Sequence, residues 1–67
     1  MDLKTIGIRL ISLRKSKGIS QIDLANKIGL DRTYLSRVET GKQNLTMDNF
    51  IKICDGLNVS LKEFFDF

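Results

Sequence analysis

Residues 20–41, SQIDLANKIGLDRTYLSRVETG, carry two short helical patterns joined by three residues that begin with glycine. Ser20 is placed to cap the first, and Asp23, three residues on, completes an approximate capping box. Ile22, Leu24, Ala25 and Ile28 supply its apolar side, and Gly29 stops it. Asp31 caps the second helix and Gly41 ends it, with Leu35 and Val38 spaced to bury. A link as tight as Gly29-Leu30-Asp31 after so short a helix forces the two axes to cross steeply. That is the geometry of a helix-turn-helix, in which the second helix is presented outward and the first braces it. An ordinary helical hairpin uses short glycine links too, so spacing alone leaves both readings open.

The flanks extend the helical pattern in both directions. Leu3, Ile6, Leu10 and Leu13 recur at three- and four-residue steps, and Gly18 follows the cationic end RKSKG, which suits a helix C-terminus. Downstream, in LTMDNFIKICDGLN (45–58), Thr46 is placed as N-cap. Met47, Phe50, Ile51, Cys54 and Leu57 form the expected buried stripe, and Asn58 suits a left-handed exit. Ser60 and Glu63 make a capping box for a last turn or two, LKEFF. There is no proline, no alternating strand pattern, no linker and no repeat. The pattern predicts an all-α, compact five-helix domain over residues 1–67, with helices 2 and 3 at about 20–41 and helices 4 and 5 at about 46–66.

Composition narrows the function. With one cysteine and no histidine in 67 residues, an intrachain disulfide, a zinc cluster and a histidine base are excluded. No phosphate loop or cleft-forming carboxylate pair stands out, so the chain reads as a non-enzyme that needs no metal or cofactor. No apolar run approaches the roughly 20 residues of a membrane span, and Met1-Asp2-Leu3 does not open a signal peptide, so the protein reads as cytoplasmic. Its charge is uneven. Residues 1–44 hold nine basic side chains against four acidic ones, whereas the remainder holds two against four. One end of the molecule is basic, as a polyanion partner requires.

The run SQIDLANKIGLDRTYLSRVETGK resembles the Cro/C1-type (XRE-like) helix-turn-helix family, and the resemblance continues to LTMDNFIKICDGLNVSLKEFF. Gln21 matches the family glutamine that opens helix 2, Ala25 the small residue where the two helices touch, Gly29 the turn glycine, Leu35 a core position and Gly41 the exit. Within that family, LDRTYLSRVETGKQNLT looks like the controller proteins of restriction-modification systems, which commonly carry Asp-Arg-Thr-Tyr at the front of the recognition helix. The resemblance implies a lambda-repressor-like domain that binds double-stranded DNA as a homodimer and blocks or recruits RNA polymerase at a promoter. Two positions depart from the family pattern: Asn58 replaces a usual glycine and Leu45 a frequent proline. A phage-type repressor is the neighbouring reading. An antitoxin or adaptor working through protein contacts is the rival of a different class.

Residue chemistry assigns parts within that frame. Arg32, on the first turn of helix 3, has the fork to hold guanine O6 and N7. Thr33 and Arg37 lie four apart on the outward face, Tyr34 sits off the core side where its ring could meet sugar or a thymine methyl, and Ser36 points outward at the flank. These five are the candidate base readers. Gln21, Lys42, Gln43, Asn44 and Thr46 are the candidate phosphate contacts. Glu39 falls on or near the buried side, where an unpaired carboxylate is costly. In proteins similar to this one an arginine at the Arg14 position pairs with it. Leu61, Phe64, Phe65 and Phe67 exceed what one short helix buries in its own chain. One or two of them must anchor the helix to the core; the rest suggest a two-fold interface, as the family resemblance implies, with Leu61, Phe64 and Phe67 the expected interface residues and Ile8 and Ile11 as further apolar residues on helix 1. Cys54 reads as a small core hydrophobe.

Overall fold

The computed structural model describes residues 1–67 as five helices and no strand: α1 (Leu3–Ser16), α2 (Gln21–Ile28), α3 (Arg32–Glu39), α4 (Met47–Leu57) and α5 (Leu61–Phe64). Each begins at a side-chain cap. Ser20 Oγ accepts the Asp23 N–H (3.0 Å), Asp31 Oδ1 that of Thr33 (2.7 Å), Thr46 Oγ1 that of Asn49 (3.2 Å) and Ser60 Oγ that of Glu63 (3.0 Å). Asp2 caps α1, a role not foreseen from the sequence. The Thr5 backbone N–H and hydroxyl both donate to it at 2.8 Å and hold its carboxyl below its ordinary 3.8. Asn58 takes the left-handed exit of α4 at φ 57° and ψ 44°, a conformation its short polar side chain tolerates.

The turn between α2 and α3 depends on Gly29, whose φ of 71° lies in the left-handed region. Its N–H and that of Leu30 both return to the Ala25 carbonyl, which ends α2 within one turn. From there α3 packs against α1 and α2, α2 rests on α4, and α5 closes the open end of α1 and α4. Leu10, Leu24, Leu35, Ile53, Leu57 and Phe64 are the largest fully buried side chains.

Three residues assigned to buried stripes are exposed instead: Ile22, Met47 and Ile51. In α4 the inward arc is set by Phe50, Ile53, Cys54 and Leu57, and at 100° per residue Ile51 lies about 100° round from Phe50. Ile53, omitted from the stripe, has no exposed surface. In α2, Leu24, Ala25 and Ile28 fix the buried arc, and Ile22 falls about 115° from its middle.

A further correction concerns Phe64, expected at an interface but 0% exposed. The single turn of α5 has one inward position, and Phe64 fills it, its ring edge-on to Phe50 at 4.8 Å between centroids. Arg9 secures that turn from α1. Its Nε donates to the Phe64 carbonyl (2.7 Å) and its Nη2 to that of Glu63 (2.9 Å), while its guanidinium lies 5.2 Å from the Phe67 ring.

Candidate nucleic-acid interface

Helix α3 turns Leu35 and Val38 into the core, so residues on its other side face solvent. Arg32, Thr33, Ser36 and Arg37 line an open groove together with Gln21 from the start of α2, and no hydrophobic residue lines it. The side chains of Arg32, Thr33 and Ser36 make no hydrogen bond within the chain, which leaves one guanidinium and two hydroxyls free for an external partner. Donors of this kind, grouped on one convex helix, suit the acceptor edges of a major groove.

Five of the other candidates, Tyr34, Arg37, Gln21, Gln43 and Thr46, have side chains engaged within the chain. Tyr34 is half-buried against the core; its hydroxyl accepts from Asn49 Nδ2 (3.0 Å) and donates to the Asn44 carbonyl (3.4 Å). Arg37 is exposed, yet its Nη2 donates to the Lys42 carbonyl (2.8 Å) and its Nε to Gln43 Oε1 (3.3 Å). The side chain of Thr46 is occupied as the cap of α4. Gln21 directs its side-chain amide inward, with Nε2 donating to Glu39 Oε1 (3.1 Å), and its backbone N–H at the head of α2 has no partner in the chain. Lys42 and Asn44 are exposed beside α3.

Beneath the groove lies a polar cluster that fixes the angle of α3. Arg14 Nε donates to Glu39 Oε2 (2.8 Å), Nη2 to Glu39 Oε1 (3.1 Å) and Nη1 to the Ile19 carbonyl (3.1 Å). Glu39 is 5% exposed, and its carboxylate accepts only from Arg14 and Gln21. A forked arginine, with its third nitrogen also bonded, is what a buried carboxylate requires. Asn49 was not anticipated as part of the site. Its only sequence signal is a polar residue at the third position of α4, next to Phe50 of the buried stripe.

A brace helix, a left-handed glycine turn and a second helix bearing free donors make up a helix-turn-helix DNA reader. Comparison with known proteins agrees. A helix-turn-helix family profile matches residues 10–64. Control protein C.MunI from a Mycoplasma species is 47% identical over 66 residues, covering 96% of this chain and 89% of that protein. The restriction-modification controller protein C.AhdI from Aeromonas hydrophila superposes with a TM-score of 0.90 at 41% identity, over 94% of this chain and 96% of that one. C.Esp1396I, solved as a tetramer in complex with its natural 35 base-pair operator, superposes with a TM-score of 0.89 at 41% identity, over 96% and 84% of the two chains. The chain belongs to the Cro/C1-type helix-turn-helix family of DNA-binding transcriptional regulators. No helix is long and apolar enough to cross a membrane.

Proposed function

We propose that the protein is a cytoplasmic, sequence-specific regulator of the restriction-modification controller kind, which binds a pseudo-palindromic operator as a homodimer and acts by occupancy, without catalysis. The observation that carries this reading is the solvent face of α3, where Arg32, Thr33 and Ser36 stand free beside Arg37. An adaptor would not need such a face. Similarity to controller proteins over nearly the whole chain supports the same reading.

In this reading Arg32 holds a guanine, Thr33 and Ser36 meet neighbouring base edges, and Arg37 reads a second position. The N–H groups at the head of α2, with Lys42, Asn44 and the Thr46 segment, grip phosphate and set register. Tyr34 keeps its ring edge for sugar while its hydroxyl braces the loop after α3. Residues 20–41 do the reading, and residues 46–66 complete the core and carry part of the dimer contact. The protomer measures 26 Å along its longest axis, less than the roughly 34 Å between successive major-groove faces, so two copies are needed to span two half-sites. Exposed Leu61 and Phe67 are the interface residues assigned by this reading. Occupancy next to a promoter then blocks or recruits RNA polymerase.

Selection from a pool of randomised duplexes, run with the wild-type protein and with Arg32→Ala, tests the proposal. Enrichment of a two-fold symmetric site, with preference lost at defined base pairs in the variant, supports it. If neither protein enriches any sequence at moderate salt, the protein is instead an adaptor, and its partner should be sought at the α5 surface.

A further inference from the structure

A guanidinium can meet paired acceptors along its side edge, Nε with Nη2, or along its outer edge, Nη1 with Nη2. In Arg37 the side edge is already taken within the chain: Nη2 donates to the Lys42 carbonyl at 2.8 Å and Nε to Gln43 Oε1 at 3.3 Å. Nη1 makes no hydrogen bond in the chain, and Arg37 still lines the groove beside Arg32, Thr33 and Ser36. The loop that supplies these two acceptors is itself fixed. The Lys42 N–H returns to the Arg37 carbonyl (2.9 Å), the Gly41 N–H to that of Val38 (3.1 Å), and Tyr34 holds the Asn44 carbonyl at the far end.

We infer that Gln43 is a positioning residue for base readout: with the Lys42 carbonyl it holds Arg37 by its side edge, so that the outer fork is set in advance for O6 and N7 of a guanine. The inference rests on the operator-reading proposal above and changes the part given to Gln43 from phosphate contact to support of a base contact. The physical gain is preorganisation. A free arginine loses much rotamer entropy when it docks, whereas one already held by two acceptors loses less and is fixed in direction.

The test measures binding of the wild type, Arg32→Ala, Arg37→Ala, Gln43→Ala, Gln43→Glu and Gln43→Lys to the selected operator and to its single-base-pair variants. The readout is the affinity ratio between operators, which is insensitive to the folded fraction of a variant. Arg37→Ala is expected to lose about tenfold of preference at one guanine–cytosine pair. Gln43→Ala should lose roughly three- to tenfold at that same pair and nothing elsewhere. Gln43→Glu keeps an acceptor for Nε, so it retains the preference while overall affinity falls through phosphate repulsion. Gln43→Lys attracts phosphate but repels the guanidinium, so it keeps or raises overall affinity and loses the preference.

The inference is overturned if the three Gln43 variants change affinity alike on every sequence, in the order Lys, Gln, Ala, Glu, with the base preference intact. That result would make Gln43 a phosphate contact. It is also overturned if Arg37→Ala keeps every preference while Arg32→Ala does not, because operator reading then stands without Arg37. A wild type with no preference anywhere removes the operator-reading proposal and this inference together.

Discussion

Arg14 and Glu39 meet in a two-pronged ion pair, 2.8 Å and 3.1 Å, that joins the end of α1 to the end of the recognition helix. The Arg14 side chain is 12% exposed and that of Glu39 is 4%. Removing one partner strands the other's charge, so Arg14→Ala or Glu39→Ala is expected to cost about 3–5 kcal/mol. In a domain of this size that lowers the melting temperature by more than about 12 °C. Replacing both, as Arg14→Met with Glu39→Leu, should cost much less than the two single changes together. Thermal or denaturant melts of the three variants check this. A single-variant cost below about 1 kcal/mol would mean that the pair behaves as a solvated surface bridge.

Beside that pair, Gly7 lets α1 lie directly on the end of α3. A Cβ at position 7 would stand 2.7 Å from the Val38 carbonyl oxygen and closer still to that of Glu39. Both obstacles are backbone, so neither can rotate away. Gly→Ala in a helix ordinarily gains about 0.5–1 kcal/mol. Gly7→Ala should instead cost about 1–3 kcal/mol, because α1 must move off α3. Ser12→Ala, on the exposed side of α1, should stay within about 0.5 kcal/mol in the same melts.

Four of the five cap residues, all but Asp2, and the left-handed exits were legible because each is a local event, a side chain or a backbone turn answering groups one to four residues away. Ser20, Asp31, Thr46 and Ser60 all read correctly for that reason. Depth in the core was less legible. Met47 and Ile51 are as apolar as Ile53, and only the angle at which α4 meets α2 and α5 decides which of them is covered. The same limit hid Phe64, since among three phenylalanines in four residues the inward one is chosen by Phe50, from another helix. At the site, the outward set on α3 followed from helical spacing. The loop contacts of Tyr34 and Arg37 depend on how residues 41–44 fold back, which no periodicity encodes.

Burial gives Cys54 a measurable effect on stability. The residue is 3% exposed, and its thiol is pushed up from an ordinary 9.0 to about 11, first by desolvation and then by the Asp55 charge nearby in sequence. The folded state therefore keeps the proton after the unfolded chain has lost it. The stability contribution is full below pH 9 and is lost as the pH rises through about 11. Two pH units correspond to on the order of 3 kcal/mol. The measurement is the difference between wild type and Cys54→Ala in urea midpoint between pH 8.5 and 11, so that only the contribution of this thiol is read. The wild type should lose stability more steeply. Parallel pH profiles would show that the thiol is solvated.

The C-terminal aromatic residues separate core from proposed interface, and the two roles give opposite signatures. Phe64 is enclosed by Phe50 and Phe65 at ring separations of 4.8 Å and 5.3 Å, so Phe64→Ala should cost about 3–5 kcal/mol at any protein concentration. Leu61 and Phe67 are 40% and 59% exposed, so Leu61→Ser and Phe67→Ser should disturb the monomer by less than about 1 kcal/mol. If these residues form the centre of a two-fold contact, each substitution should raise the dimer dissociation constant by at least about tenfold. Operator binding should then become strongly concentration-dependent, because a single protomer grips one half-site only. Sedimentation equilibrium, paired with melts at two concentrations, reads both effects in one set of samples. Unchanged association in Leu61→Ser and Phe67→Ser would move the contact to another surface, with Ile8 on α1, 59% exposed, as the next position to substitute.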